Sequence, residues 1–218
     1  MNFEEFRNLI PKIKNLPLPG IESHHKMIPP ERIGNIRRPE NASKTPREAA
    51  VLNLFYPGED KDARMLLILR KTYRGVHSNQ VGFPGGKVEV EDRDLEDTAL
   101  RETHEEVGVA PEKVTIIRSL SEVYIPPSNF MVYPYMGYAE EKLRFVRQES
   151  EVERLIEVRL EEFLSDQSMF YQRLDTSYAN DIEVPAFRLN QYTVWGATAM
   201  ILSEVKEIIK NLNSSQIL

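Results

Sequence analysis

Apolar residues recur along this chain in two rhythms, and the rhythms lay out its elements. From Phe3 to Leu16 they fall at helical spacing, at Phe3, Phe6, Leu9, Ile10 and Ile13, so a helix with one apolar face is expected. Pro11 lies inside that span and is expected to shorten or kink it. Ala49 to Tyr56 (AAVLNLFY) is mostly apolar and reads as a buried strand. Pro57-Gly58-Glu59-Asp60 turns the chain, and Arg64 to Arg70 (RMLLILR) returns as a second, antiparallel strand. Val114–Leu120 and Met131–Tyr138 are two more strand candidates, with Tyr124 to Phe130 between them as a stiff aromatic loop. Leu155–Val158 reads as a short strand and Leu160–Leu164 as a helical turn. Pro185–Leu189 and Tyr192–Trp195 pair across Asn190-Gln191 as a hairpin. Ala197 to Leu212 is a strongly amphipathic final helix. Strands interrupted by two main helices predict an α/β or α+β architecture with a mixed sheet.

The segment Pro17 to Pro46 carries six prolines and little periodicity, which suits an extended arm laid over a domain. The expected organisation is therefore a helix and arm over residues 1–47 packed on one domain over residues 48–218. The arm is a candidate dimer contact or substrate edge. Its Arg37-Arg38 pair has the charge to touch phosphate, although an exposed basic pair needs no ligand. His24-His25 has no spaced partner and reads as surface.

One stretch breaks the ordinary pattern. Phe83 to Val109 reads FPGGKVEVEDRDLEDTALRETHEEVGV. On a helix, residues three and four apart share a face, so Glu102, Glu105 and Glu106 project to one side. Like charges at that spacing cost a helix roughly 0.2–0.5 kcal/mol per pair. A hard divalent cation reverses the sign of that cost, because Mg²⁺ takes oxygen ligands and is often bound through carboxylates and substrate phosphates. Ala99, Leu100, Thr103 and Val107 can pack on a core. Gly108 follows the last turn, where a left-handed cap favours glycine, and Asp92 or Asp94 can cap the other end. A solvated acidic face would explain the glutamates alone. It does not explain the double-glycine turn Gly85-Gly86 just upstream.

The combination resembles the Nudix box: a glycine, a distant acid, then Arg-Glu-apolar-x-Glu-Glu-x-Gly-apolar. Arg101 to Val109 fits residue by residue, with Thr103 in the first apolar slot. The distant acid is Asp92 rather than Glu, one residue further from Arg101 than usual, a departure that occurs in the coenzyme A pyrophosphatase branch. Upstream, Arg70, His77, Gln80, Val81, Phe83, Pro84, Gly85 and Gly86 match the motif of that branch, while Ile68, Lys71-Thr72 and Asn79 depart from it. Asn79 replaces a glycine, and asparagine tolerates left-handed backbone better than most residues. Tyr124–Asn129 and Trp195–Met200 are also similar to that branch. The resemblance spans roughly residues 48–212.

It implies a Nudix α/β/α sandwich with a mixed central sheet and a loop-helix-loop metal site. It implies Mg²⁺ or Mn²⁺ held by Glu102, Glu105 and Glu106 with the Gly86 carbonyl near. Arg101 orients the carboxylates or clamps the helix locally, and Glu102 is a candidate base. Glu151, with Glu149 behind it, is the choice for an acid supplied from outside the helix. Arg70, Lys71, Arg74, His77 and Gln80 are the substrate-binding candidates; Arg70 suits a phosphate through its planar fork or pairs with an acid of the box, and His77 orders its loop. The implied reaction cleaves the diphosphate of coenzyme A or a derivative. ADP-ribose or another nucleoside diphosphate derivative is the alternative substrate class, decided by a substrate panel. A non-catalytic Nudix-fold binding module is the alternative of another kind, and the intact set Arg101, Glu102, Glu105 and Glu106 speaks against it.

Composition narrows the frame. A chain of 218 residues can bury a sizeable core. Its 28 basic and 34 acidic residues leave a net charge of −6, without the basic footprint of a nucleic-acid binder. There is no cysteine, so neither a disulfide framework nor a thiol nucleophile. The first residues lack a signal-peptide layout and no apolar run is long enough to span a bilayer. A cytoplasmic enzyme acting on a small molecule is the expectation, without a nucleic-acid or membrane partner.

Overall fold

The computed structural model describes residues 1–29, 45–72, 79–174 and 181–214. Its centre is strand β1 (Arg47–Pro57). Alternation along β1 feeds two cores, because successive side chains point to opposite faces. Ala50, Leu52, Leu54 and Tyr56 join Leu66, Ile68, Ala99 and Val107 on one face. Ala49 and Phe55 join Met65, Leu67 and the two long terminal helices on the other.

Strand β2 (Ala63–Arg70) runs antiparallel to β1 as expected, pairing at Phe55–Pro57. Strand β3 (Val81–Gly82) pairs with β2, and β4 (Gly85–Lys87) pairs with β1 at Ala49–Val51. One edge of β1 is thus divided between β2 at one end and the double-glycine strand at the other. On the far edge β1 runs parallel to β7 (Phe130–Tyr138). β5 (Thr115–Ser119), β6 (Val123–Ile125) and β8 (Val152–Arg159) add antiparallel partners to β7, β7 and β2. The sheet is mixed, as predicted. Part of the expected aromatic loop is strand: Val123–Ile125 pairs before Pro126-Pro127 closes a 3₁₀ turn.

Helix α3 (Leu95–Val107) covers one face of this sheet. Helices α1 (Phe3–Asn15) and α5 (Gly196–Ser214) pack together on the other, so the architecture is a three-layer α/β/α sandwich. α1 runs through Pro11 for 13 residues. A mid-helix proline costs about 3 kcal/mol. Against that stand a capping box of Asn2 and Glu5 and five buried apolar side chains, with Phe6 stacked 4.6 Å from Phe55. Burying each such side chain contributes about 1.5–3 kcal/mol, so packing outweighs the proline.

A second sheet orders β11 (Tyr192–Val194), β10 (Ile182–Leu189) and β9 (Met169–Leu174). The expected hairpin is present, and Asn190 and Gln191 both take positive φ at its turn. Helix α4 (Leu160–Leu164) links the sheets through Phe163, 5.7 Å from Phe187. Helix α2 (Ile21–His25) packs on α5. His24 is buried there, not a surface residue: its Nε2 lies 3.5 Å from the buried carboxylate of Glu204. The same carboxylate accepts from the amides of Gly20 and Ser121 and from the Ser121 hydroxyl. Arg37 and Arg38 lie outside the described residues.

Candidate active site

The site forms where β2, β4 and α3 meet. Gly85 has φ +146°, and a Cβ on it would fall 2.4 Å from the Ala50 carbonyl and 2.6 Å from the Val51 Cα. Only glycine lets this turn lie against β1. Gly86 is required for another reason: a Cβ there would lie 2.3 Å from the carboxyl carbon of Glu102. The double glycine thus seats the α3 glutamates directly against backbone. Downstream, Asp94 caps α3 by accepting from the Asp97 amide, and Gly108 closes it at φ +74°.

The three glutamates do not share one environment. Glu106 is 1% exposed and faces the sheet. Its Oε1 accepts from Arg70 Nη1 at 3.1 Å and its Oε2 from the Gly85 amide at 2.9 Å. Arg70 Nη2 also donates to the Gly85 carbonyl at 2.7 Å. Burial pushes the Glu106 carboxyl up to about 7 against the pull of Arg70 and the Gly85 amide, with the charges of Glu102 and Glu151 adding to the rise. Glu102 is also raised, first by burial, then opposed by Arg101, with Glu105 and Glu151 adding repulsion. Glu105 is half exposed and pairs with Arg101 at 3.3 Å. The three differ in exposure: Glu106 is packed inward against the Gly85 amide, Glu102 lies along the glycine turn and Glu105 is half exposed.

Asp92 is not the helix cap. Its carboxylate is 2% exposed and takes two bonds from Arg101, at 2.7 and 3.0 Å, one from the Thr98 hydroxyl at 2.8 Å and one from the Glu89 amide at 2.9 Å. The Arg101 bond holds this carboxyl well below the usual range, and Asp92 in turn raises the Arg101 guanidinium. Arg101 also donates to the Lys87 carbonyl at 3.0 Å and stands 3.3 Å from Glu102. It ties the loop before α3 to the acidic face of the helix.

Outside α3, Lys71 Nζ donates to the Glu149 carbonyl at 2.6 Å, and its amide donates to the Glu151 carbonyl at 2.8 Å. The Gln80 carbonyl accepts from the Arg70 amide, and Asn79 takes φ +56°, the left-handed conformation that its loop position requires. Arg74 and His77 lie outside the described residues. The exposed Glu151 is near enough for its charge to raise both Glu102 and Glu106.

Among the described residues, no three or more His, Asp or Glu side chains are drawn together into a finished metal-ligand set. The donor chemistry nevertheless suits a hard divalent cation. Carboxylates of Glu102 and Glu106 stand at one glycine turn, raised by burial and by the nearby Glu151, and oxygen donors are what Mg²⁺ prefers.

A model of the NUDIX domain matches residues 46–178. Nudix hydrolase 15, mitochondrial, from Arabidopsis thaliana is 34% identical over 164 residues, covering 72% of this chain and 56% of that protein. The Nudix hydrolase NudL of Enterobacter sp. (strain 638) is 37% identical over 160 residues, covering 73% of this chain and 81% of that protein. The chain spans 56% of the length of Nudix hydrolase 15 and 56% of Nudix hydrolase 22, chloroplastic, also from Arabidopsis thaliana. A crystal structure of a MutT/nudix family protein from Enterococcus faecalis superposes with a TM-score of 0.52 at 18% identity, over 80% of this chain and 65% of that one. At that identity the likeness concerns the fold.

Proposed function

The chain belongs to the Nudix family, and from that premise we propose that it is a divalent-metal-dependent pyrophosphohydrolase that cleaves the diphosphate of coenzyme A or its derivatives. The products are 4′-phosphopantetheine, or its derivative, and adenosine 3′,5′-bisphosphate. One observation carries the reading. Arg70 and Gly85, which belong to the upstream stretch similar to coenzyme A pyrophosphatases, close directly around Glu106 of the box. The two motifs are parts of one site.

Glu102, Glu105 and Glu106, with the Gly86 carbonyl, would hold Mg²⁺ or Mn²⁺. Such an ion neutralises charge on diphosphate oxygens and makes water easier to deprotonate. The chain's own residues supply the rest. Asp92 fixes Arg101, and Arg101 steadies Glu102 and Glu105. Arg70 fixes Glu106 against the glycine turn. A carboxylate, Glu102 or Glu151, takes one proton from water as its oxygen bonds to phosphorus and the bridging P–O bond breaks. The diphosphate is thereby split into two separate phosphate esters, the bridging oxygen remaining with one of them and the water oxygen with the other.

The test is mass spectrometry of products from coenzyme A, acyl-coenzyme A, ADP-ribose and dinucleoside polyphosphates with Mg²⁺ or Mn²⁺. Coenzyme A compounds are expected to turn over fastest. Faster turnover of ADP-ribose would overturn the substrate while leaving the reaction class standing.

A further inference from the structure

Helix α3 buries two threonines, and they use their hydroxyls differently. Thr103 donates to the Ala99 carbonyl at 2.6 Å, one turn back in its own helix, the ordinary habit of a mid-helix threonine. Thr98 stands 2.8 Å from Asp92 Oδ2 and 3.3 Å from the Asp94 carbonyl. A hydroxyl carries one proton to donate. The carboxylate is the nearer acceptor and the charged one. The Asp94 carbonyl already accepts from the Thr98 amide at 3.2 Å. The Thr98 proton therefore goes to Asp92. Burying a hydroxyl costs free energy unless it is bonded, and valine would fill the same space without that cost. Packing alone does not call for threonine here.

Asp92 has a use for that bond. Its carboxylate meets Arg101 fork to fork, Oδ1 to Nε at 2.7 Å and Oδ2 to Nη2 at 3.0 Å, and such a pair depends on the two planes staying aligned. The torsion that turns an aspartate carboxylate is broad, so its plane must be set from outside. Thr98 and the Glu89 amide, at 2.8 and 2.9 Å, both donate to Oδ2 and set it. Thr98 lies three residues before Arg101 on the same face of α3, so one rigid element brings both donors to the carboxylate. At its far end, Arg101 Nη1 stands 3.3 Å from Glu102 and 3.3 Å from Glu105. We propose that Thr98 is a positioning residue of the hydrolase, whose hydroxyl, through Asp92 and Arg101, fixes the direction of Glu102 and Glu105. The inference rests on the metal-dependent diphosphate hydrolysis proposed above and not on which substrate is cleaved. The same bond accounts for the spacing. Asp92 stands where the general Nudix box has the longer glutamate, one residue further from Arg101, and Thr98 holds the shorter side chain in place.

Thr98→Val removes the hydroxyl and keeps the shape, and Thr98→Ser keeps the hydroxyl. Three measurements are read together: steady-state kinetics on the diphosphate compound that turns over fastest, Mn²⁺ titration by electron paramagnetic resonance, and thermal melts. Thr98→Val is expected to lower kcat about tenfold and to weaken Mn²⁺ binding about as much, the scale for a residue that orients metal ligands from behind, with KM little changed. Thr98→Ser should restore both. In an Asp92→Ala background the carboxylate is already gone, so Thr98→Val should cost nothing further, as expected for residues that act in one chain of contacts. A hydroxyl that only stabilised the helix would lower the melting temperature, leave Mn²⁺ affinity alone and keep its effect without Asp92. Three results would overturn the proposal: a folded Thr98→Val with wild-type kcat and Mn²⁺ affinity, a Thr98→Ser as impaired as Thr98→Val, or an undiminished further loss on Asp92→Ala. Should Asp92→Ala fail to fold, the valine and serine variants decide. Mn²⁺ affinity is read without substrate. Wild type that binds Mn²⁺ but cleaves no diphosphate compound therefore removes the hydrolase reading, while the titration still decides the role of Thr98.

Discussion

Arg70 and Glu106 show how one residue pair serves both stability and chemistry. Glu106 is nearly inaccessible, and its only full positive partner among the described residues is Arg70 at 3.1 Å. Removing one member of a buried pair leaves an uncompensated charge, at a cost of about 3 kcal/mol or more. The sign of the pH dependence follows from the raised Glu106 carboxyl. A group whose folded value lies above its unfolded value contributes stability at low pH and loses it as pH rises, here through about 7. Without Arg70 the carboxyl rises further, so the folded protein tolerates it only when protonated. In a chelator-containing buffer, Arg70→Gln should therefore be less stable than wild type by about 3 kcal/mol at pH 8 and by much less at pH 5. Urea unfolding at the two pH values reads this directly. An equal loss at both would mean that Arg70 acts through packing and not through the Glu106 charge.

At the scale of elements, α3 separates a cap from a clamp. Asp94 satisfies the Asp97 amide, so Asp94→Ala should cost about 1 kcal/mol of stability and leave kcat near wild type. Asp92 holds Arg101 and through it the acidic face, so Asp92→Asn should lower kcat by about 10²-fold, the effect of slight misplacement at a reacting centre. Stopped assays beside thermal melts distinguish the two; matching losses of activity would dissolve the distinction.

Helix α5 offers an independent case. Lys206 is buried, donates to the Ser165 carbonyl and the Ser168 hydroxyl, and burial pulls its ammonium down to about 8 from an ordinary 10.5. Such a group costs stability while charged, and the cost fades as pH rises from about 8 toward 10.5. Lys206→Met should remove that rise, visible as a stability difference from wild type that changes across this interval. A constant difference would show that the ammonium keeps its charge on folding.

Legibility followed the strength of periodicity. β1, β2, β7 and α5 were readable because their apolar patterns match the faces they bury. Strand β9 was not: Met169 and Tyr171 are exposed, and the strand is held by backbone pairing to β10 and by Arg188 stacking on Phe170 at 4.4 Å. β6 was hidden by the prolines that follow it. His24 was misread because its partner, Glu204, lies 180 residues away on α5, beyond any local pattern. In the site, residue types and spacing marked Glu102, Glu105, Glu106 and Arg101. They did not reveal that Glu106 turns inward, which depends on β2 delivering Arg70 to the same turn.

Across the whole molecule, the site is assembled from four separate pieces of chain: the end of β2, the β4 turn, α3 and the segment before β8. The first three meet through bonds already described. The fourth is tied by Lys71, whose amide and ammonium bond to the carbonyls of Glu151 and Glu149. Both bonds end on backbone carbonyls, so they place the segment without engaging either carboxylate. Glu151 is distinguished from Glu149 by its field, which reaches Glu102 and Glu106, whereas Glu149 stands 3.8 Å from Arg147. A carboxylate from outside the helix suits a hydrolase, since α3 supplies oxygens from one side and water must approach the phosphorus from another. On the proposed mechanism, Glu151→Gln should lower turnover by roughly 10²–10⁴ if that side chain is the general base. Glu149→Gln should stay within a few-fold of wild type, because its carbonyl, the atom bonded to Lys71, is untouched by the change. The Lys71 anchor also predicts that neither variant unfolds the segment, so thermal midpoints should match wild type. Measuring kcat alongside Mn²⁺ affinity separates the two roles open to Glu151: a base lowers kcat with metal affinity kept, and a ligand lowers both. Full activity in Glu151→Gln would move the base to Glu102 and leave the segment before β8 as a support for β2 alone.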